Sequence, residues 1–323
     1  MSTLTIPPVI PTAREDAKNL HKAFKGLGCD SGTIINILAH RDSQQVELIT
    51  QEYDNKYSDV LRKRLSSELH GDFKRAVCLW VREPAARDAN VLKRALRATV
   101  TDFKAATDVI CSRTPAQLRQ LKQVYLINCG ARLEHDIESA TYGDHKKVPR
   151  MEPQDRKPRS LLLGYVNTTR YEGPEIDKIL VEDDAKAINK GRDNSFFIRI
   201  FTERSKAHMS ALISTYKSMF GKPLEHAIKK ETSGNLMYGL LTILRFVENP
   251  AIHFAKLLRK AMKGFGTDDS TLIWIIVTRA EVDMRYIKAA YINKYGKTLN
   301  EAVHSETSGY YRTFLLALLG PNC

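Results

Sequence analysis

The chain has 323 residues, 43% hydrophobic and 27% charged, with a net charge of +13. Length alone suggests about two domains. The composition is that of a soluble protein with a sizeable core, and no run of about 18 apolar residues could span a bilayer. The excess of 50 basic over 37 acidic residues favours an anionic partner, an acidic membrane face or nucleic acid. Zinc-finger pairing, RNP-type aromatic motifs and unbroken basic helices are all missing, so no nucleic-acid partner is expected. Met1 to Arg14 lacks the charged and apolar regions of a signal peptide. The five cysteines, Cys29, Cys78, Cys111, Cys129 and Cys323, form no C-x-x-C pair and leave one over in any full pairing. Reduced thiols and a cytoplasmic setting follow.

Residues 1–11 read as a short N-terminal segment, and residues 12–83 as a first helical unit. A helix from about Ala13 to Phe24 runs into the loop Gly26-Leu27-Gly28. Apolar residues then recur at helical spacing: Ile34, Ile37 and Leu38, next Val46, Ile49 and Tyr53, then Val60, Leu61 and Leu65. Gly71-Asp72-Phe73 opens a fifth helix ending near Trp80. Glu68 follows the first loop glycine by 68 − 26 = 42 residues. A glycine loop lets backbone carbonyls turn inward, and an acid beside it supplies charge, a pattern suited to calcium with its six to eight oxygens at roughly 2.3–2.6 Å.

The pattern returns along the chain. Arg41, Arg113, Arg204 and Arg279 stand 72, 91 and 75 residues apart. Tyr53, Tyr125, Tyr216 and Tyr291 keep the same steps, as do Gly71, Gly143, Gly234 and Gly309. Four repeats of one supersecondary design therefore fill the chain, at 12–83, 84–157, 158–248 and 249–323.

In the second repeat, Ala98 and Val100 replace the loop glycines and Ala140 replaces the acid, so no calcium is expected there. Its end, Asp144 to Arg159, holds three prolines and many charges and reads as an exposed linker. The third repeat is intermediate: Asn189 and Gly191 face Glu231, but Lys190 and Arg192 crowd the loop with positive charge. The fourth restores the full pattern as Met262-Lys263-Gly264-Phe265-Gly266-Thr267-Asp268, with Glu306 again 306 − 264 = 42 residues on.

Four registered repeats, Lys-Gly-x-Gly-Thr-Asp in the fourth and Glu-Thr-Ser-Gly closing the third and fourth resemble the annexin family over roughly residues 10 to 320. The short N-terminal segment, with full loops in repeats one and four only, is more similar to plant annexins than to animal ones. The resemblance implies an all-α fold, four repeats of about five short helices in a slightly curved disc. It implies calcium held by the carbonyls of Phe24, Gly26 and Gly28 with Glu68, and of Met262, Gly264 and Gly266 with Glu306. It also implies peripheral, reversible binding to acidic phospholipid membranes when calcium rises; no enzymatic activity is expected, and a peroxidase or a nucleotide hydrolase is the enzyme alternative. Cys29 stands where the loop motif has Thr, a change the site tolerates if that position contributes only backbone.

Other matches have plainer readings. Asp88 and Arg113 match a pair that lies near the central hydrophilic pore in annexins, which opens an ion-channel alternative beside an ordinary ion pair. Ile198-Arg199-Ile200 resembles a tripeptide linked with actin binding in some plant annexins, yet the same columns hold Ile35, Ile37, Ile273 and Ile275, which makes it packing first. Gly296-Lys297-Thr298 resembles the end of a phosphate-binding loop without the earlier glycine or the preceding strand, so it reads as a turn with Thr298 capping the next helix. His40 and Cys111 resemble features associated with redox activity in some plant annexins; His40 is expected to be a histidine at a repeat junction.

Overall fold

The computed structural model describes residues 1–26, 28–140, 161–191, 194–264 and 266–322. The chain is all-helical, with no strand among the described residues. The first repeat contains α1 (Ala13–Ala23), α2 (Ser31–Leu38), α3 (Ser43–Tyr57), α4 (Leu61–Glu68) and α5 (Gly71–Trp80). Next come α6 (Pro84–Arg97), α7 (Phe103–Cys111), α8 (Pro115–Cys129), α9 (Leu133–Ser139) and α10 (161–167). The third set is α11 (Lys178–Lys190), α12 (Asn194–Glu203), α13 (Lys206–Phe220), α14 (Leu224–Glu231) and α15 (Gly234–Glu248). The last is α16 (Pro250–Ala261), α17 (Asp269–Arg279), α18 (Met284–Tyr295), α19 (Leu299–Glu306) and α20 (Gly309–Leu319). Gly143 and the linker expected at Asp144 to Arg159 lie outside the described residues.

Local chemistry sets the helix boundaries. Thr12 and Glu15 form a capping box at the start of α1, as do Thr298 and Glu301 at the start of α19, each pair satisfying backbone N–H groups that the helix cannot. Gly130, Gly221 and Gly296 end α8, α13 and α18 in the left-handed region, where only glycine sits without steric cost. Gly296-Lys297-Thr298 is thus a helix stop followed by a helix start.

The helices gather into two compact lobes, Met1–Arg87 with Ala251–Cys323, and Asp88–Pro250. In each lobe the second helix of one repeat packs on the fifth helix of its partner repeat. Thus α2 meets α20 and α17 meets α5 in the first lobe, while α7 meets α15 in the second. There α10 approaches α12 so closely that a Cβ on Gly164 would come within 2.9 Å of the Thr202 side chain. Ile34, Leu38, Leu272, Ile276, Leu315 and Leu318 are fully buried in the first lobe, each contributing roughly 1.5–3 kcal/mol. Polar groups inside are matched. Trp80 donates its indole N–H to the Leu38 carbonyl at 2.7 Å, and Arg87 lies over the Trp80 ring at 4.2 Å. Arg87, on α6, also pairs with Glu281 at 2.7 Å, and the Ser43 N–H donates to the other Glu281 oxygen at 2.6 Å, a bond that joins repeats one and four. The N-terminal segment is tied to the same lobe, with Thr3 donating to the Ala280 and Leu318 carbonyls.

The Tyr column is buried throughout, at 1%, 0%, 4% and 0% exposure for Tyr53, Tyr125, Tyr216 and Tyr291. The Arg column is an internal ion-pair device with three variants. Arg41 and Arg113 each form two-pronged bonds to an aspartate 25 residues earlier, Asp16 and Asp88, with both partners buried. Arg204 binds Asp184, 20 residues back, which also bonds His208 at 2.9 Å. In repeat four, the position 25 back is Phe254. Arg279 lies over its ring at 4.8 Å and takes Asp283 on its own chain turn instead.

Candidate metal centre

The glycine loops are pinned at both ends by one device. The backbone N–H of Asp30, Asp102 and Asp268 donates to the carbonyl of Ala23, Ala95 and Ala261 at 2.9, 2.9 and 2.8 Å. The carboxylates of the same aspartates cap α2, α7 and α17. Between the pins, Gly28 takes φ +95°, Gly264 +135° and Gly266 +84°, conformations that an L side chain rarely adopts. Gly26 lies outside that region, and a Cβ on it would meet the Gly28 carbonyl oxygen at 3.4 Å.

The acid predicted for each loop is found beside it. In repeat one, Nη2 of Arg64 stands 3.3 Å from the Phe24 carbonyl oxygen and 3.0 Å from Oε1 of Glu68, joining loop and acid. In repeat four, the Thr267 hydroxyl lies 3.4 Å from both the carbonyl and Oε2 of Glu306. The structure therefore places Glu68 beside the loop that carries Phe24, Gly26 and Gly28, through Arg64, and Glu306 beside the loop that carries Met262, Gly264 and Gly266, through Thr267. Cys29 borders the first loop; burial, then the Glu68 charge, pushes its thiol up to about 11, which keeps it protonated at neutral pH.

The donor set is one of oxygens. Among the described residues no three His, Cys, Asp or Glu side chains converge, so a cation here would be held largely by main-chain carbonyls and one carboxylate. That set fits a hard ion such as calcium and suits zinc or copper poorly.

Repeat two keeps the frame and fills the site with its own groups. Arg97 reaches Asp136 at 2.6 Å and the Cys129 carbonyl at 3.1 Å, while Thr101 donates to the Ala140 carbonyl at 2.5 Å. In repeat three, the Glu231 carboxylate leans directly on the loop: a Cβ on Gly191 would lie 2.8 Å from its carboxyl carbon. Lys230 also binds Glu231, at 3.1 Å. Arg192 lies outside the described residues.

The remaining sequence matches fall into structural roles. Asp88–Arg113 is the second copy of Asp16–Arg41, as its spacing and geometry show. Ile200 is buried in α12 and Arg199 is exposed beside Phe196, while Ile35, Ile37, Ile273 and Ile275 are buried at the matching places. Nδ1 of His40 contacts the Asn36 carbonyl at 3.1 Å just past the end of α2. Cys111 is buried in the other lobe, its thiol pushed far up by desolvation.

The annexin family model matches four segments, residues 15–80, 87–149, 185–243 and 253–318. Annexin D5 of Arabidopsis thaliana is 55% identical over the whole of both chains. The chain is an annexin. Among solved structures, annexin III superposes with a TM-score of 0.92 at 30% identity, covering 100% of this chain and 98% of that one. A structure described as calcium-bound annexin (Sm)1 matches with a TM-score of 0.83 at 27% identity, covering 99% of this chain and 93% of that one. Sequence reading of this annexin identified the loop and its distant acid but missed the two side chains that join them. Arg64 was legible as a basic residue one helical turn before Glu68, and Thr267 as the residue following the second glycine.

Proposed function

We propose that this annexin binds acidic phospholipid membranes through calcium held in the loops of repeats one and four. The observation that carries the reading is the meeting of a pinned glycine loop and a helix-terminal glutamate, found in both places. The carbonyls of Phe24, Gly26 and Gly28 with Glu68, and of Met262, Gly264 and Gly266 with Glu306, would hold the ion. Bound calcium would supply a divalent charge with coordination places left over for water or a lipid phosphate oxygen. The chain's part is to hold the loops: Asp30 and Asp268 fix the loop ends, and the positive φ of Gly28, Gly264 and Gly266 sets the course of the backbone between them. The net charge of +13 adds a non-specific attraction to anionic lipid. No described helix is long and apolar enough to cross a membrane, which agrees with a peripheral mode of attachment.

The test separates bridging from adsorption. Glu68→Gln with Glu306→Gln removes two negative charges at nearly constant shape. Adsorption by net charge alone should then strengthen slightly and weaken with salt. Bridging predicts that calcium-dependent sedimentation with phosphatidylserine vesicles falls sharply while the circular dichroism spectrum stays that of wild type. Magnesium, which prefers a tight octahedral shell and gives up water reluctantly, should not replace calcium. Wild-type sedimentation of the double variant at the same calcium concentration would overturn the reading.

A further inference from the structure

The two sites differ in the side chain that lies between loop and acid. Arg64 lies on α4, one turn before Glu68, with its side chain 39% exposed and its guanidinium 5.8 Å from the Phe24 ring centre. One nitrogen of that guanidinium faces both the Phe24 carbonyl oxygen and the Glu68 carboxylate. These are two of the oxygens assigned above to the ion, so a protein cation lies against part of the ligand set. The feature is particular to repeat one. The repeat steps of 72, 91 and 75 carry position 64 to Asp136, Ala227 and Ala302. In repeat four the contact between loop and acid among the described residues is made by the neutral Thr267 hydroxyl.

We propose that Arg64 is an internal competitor of calcium at the first loop: it holds the loop and Glu68 together in the metal-free protein and must leave them when the ion enters. Staying in place would set a positive charge beside a dication among shared oxygens. Leaving gives up the hydrogen bond to the Phe24 carbonyl, the ion pair with Glu68 and the cation–π contact with the Phe24 ring. Either course weakens the first site, so loop four fills at lower calcium and loop one later. The protein then responds to calcium in two steps, although its two loop motifs have the same spacing. The effect is moderate, because the pair is partly exposed and screened by salt.

This rests on the reading that these loops take calcium, and the experiment keeps the two apart. Calcium alone is titrated by calorimetry into full-length protein carrying Glu306→Gln, which silences loop four. Adding Arg64→Ala or Arg64→Gln should tighten the remaining calcium binding by on the order of fivefold. Arg64→Gln keeps much of the stem, so the test survives if the alanine variant is poorly folded. Lys63→Ala, on the same helix with the same charge but exposed, should change the affinity much less. An unchanged or weaker affinity in both Arg64 variants, or an equal gain from Lys63→Ala, overturns the inference while leaving the calcium reading intact. Loss of all calcium heat in every one of these proteins, with wild type equally silent, overturns both.

Discussion

At the scale of single residues, repeated columns share a position without sharing an energy. The Tyr125 hydroxyl donates to Asp136 at 2.6 Å inside the second repeat, and burial followed by that bond pushes its pKa far up. The Tyr291 hydroxyl, in the same column, is buried without a partner among the described residues. A hydrogen bond to a charged group contributes about 1.5–3 kcal/mol, whereas an unmatched buried hydroxyl is a cost. Tyr125→Phe should therefore destabilise the protein by roughly 1–2 kcal/mol, and Tyr291→Phe should be neutral or slightly stabilising. Urea denaturation midpoints of the two variants, compared at unchanged slope, check this. Both tyrosines could be picked out in the sequence by spacing alone. What each hydroxyl meets could not, because Asp136 comes from another helix. The same limit applies to Arg279, which meets the Phe254 ring where Arg41 and Arg113 meet aspartates and pairs with Asp283 instead.

At the scale of elements, the glycine column is explained by the start of the fifth helix. Gly71, Gly234 and Gly309 open α5, α15 and α20 at φ +58°, +57° and +57°. A Cβ at Gly309 would meet nothing within 4 Å, so the constraint there is the backbone angle and not space. Gly309→Ala should cost about 1–2 kcal/mol from that angle alone. Thr298→Ala, which removes the capping box of α19, should cost about 1 kcal/mol. Thermal unfolding of both, with calcium absent, measures the two effects apart from the loops. Helix identity and the loop-to-acid spacing were legible because they depend on neighbours in sequence. The joining of loop to acid by Arg64 was not, since the motif specifies the oxygens and says nothing of what lies between them.

At the scale of the molecule, repetition gave the number of repeats but not their partners. Nothing in the Arg, Tyr or Gly columns says that the second helix of one repeat will pack on the fifth of another, or that repeat one will take repeat four. That choice is written in single contacts, such as Ser43 with Glu281, a carboxylate that also holds Arg87 from the start of α6. Glu281→Ala should accordingly leave Arg87 without its carboxylate and destabilise the protein by about 3 kcal/mol or more. A denaturation profile in which the Trp80 fluorescence transition moves to lower urea would register the loss, since Arg87 covers that ring.

The pairing of the first and last repeats also fixes an order of manufacture. Asp88–Pro250 is one continuous stretch, so the second lobe is complete in sequence before the ribosome begins Ala251. Met1–Arg87 emerges earliest yet has no partner surface until Ala251–Cys323 follows. At 5–20 residues per second, the 323 − 87 = 236 residues still to be made hold it in waiting for roughly ten to fifty seconds. During that interval the faces of α2 and α5 that will meet α20 and α17 have nothing to cover them, and a nascent repeat one is the part of this protein that a chaperone has most reason to hold.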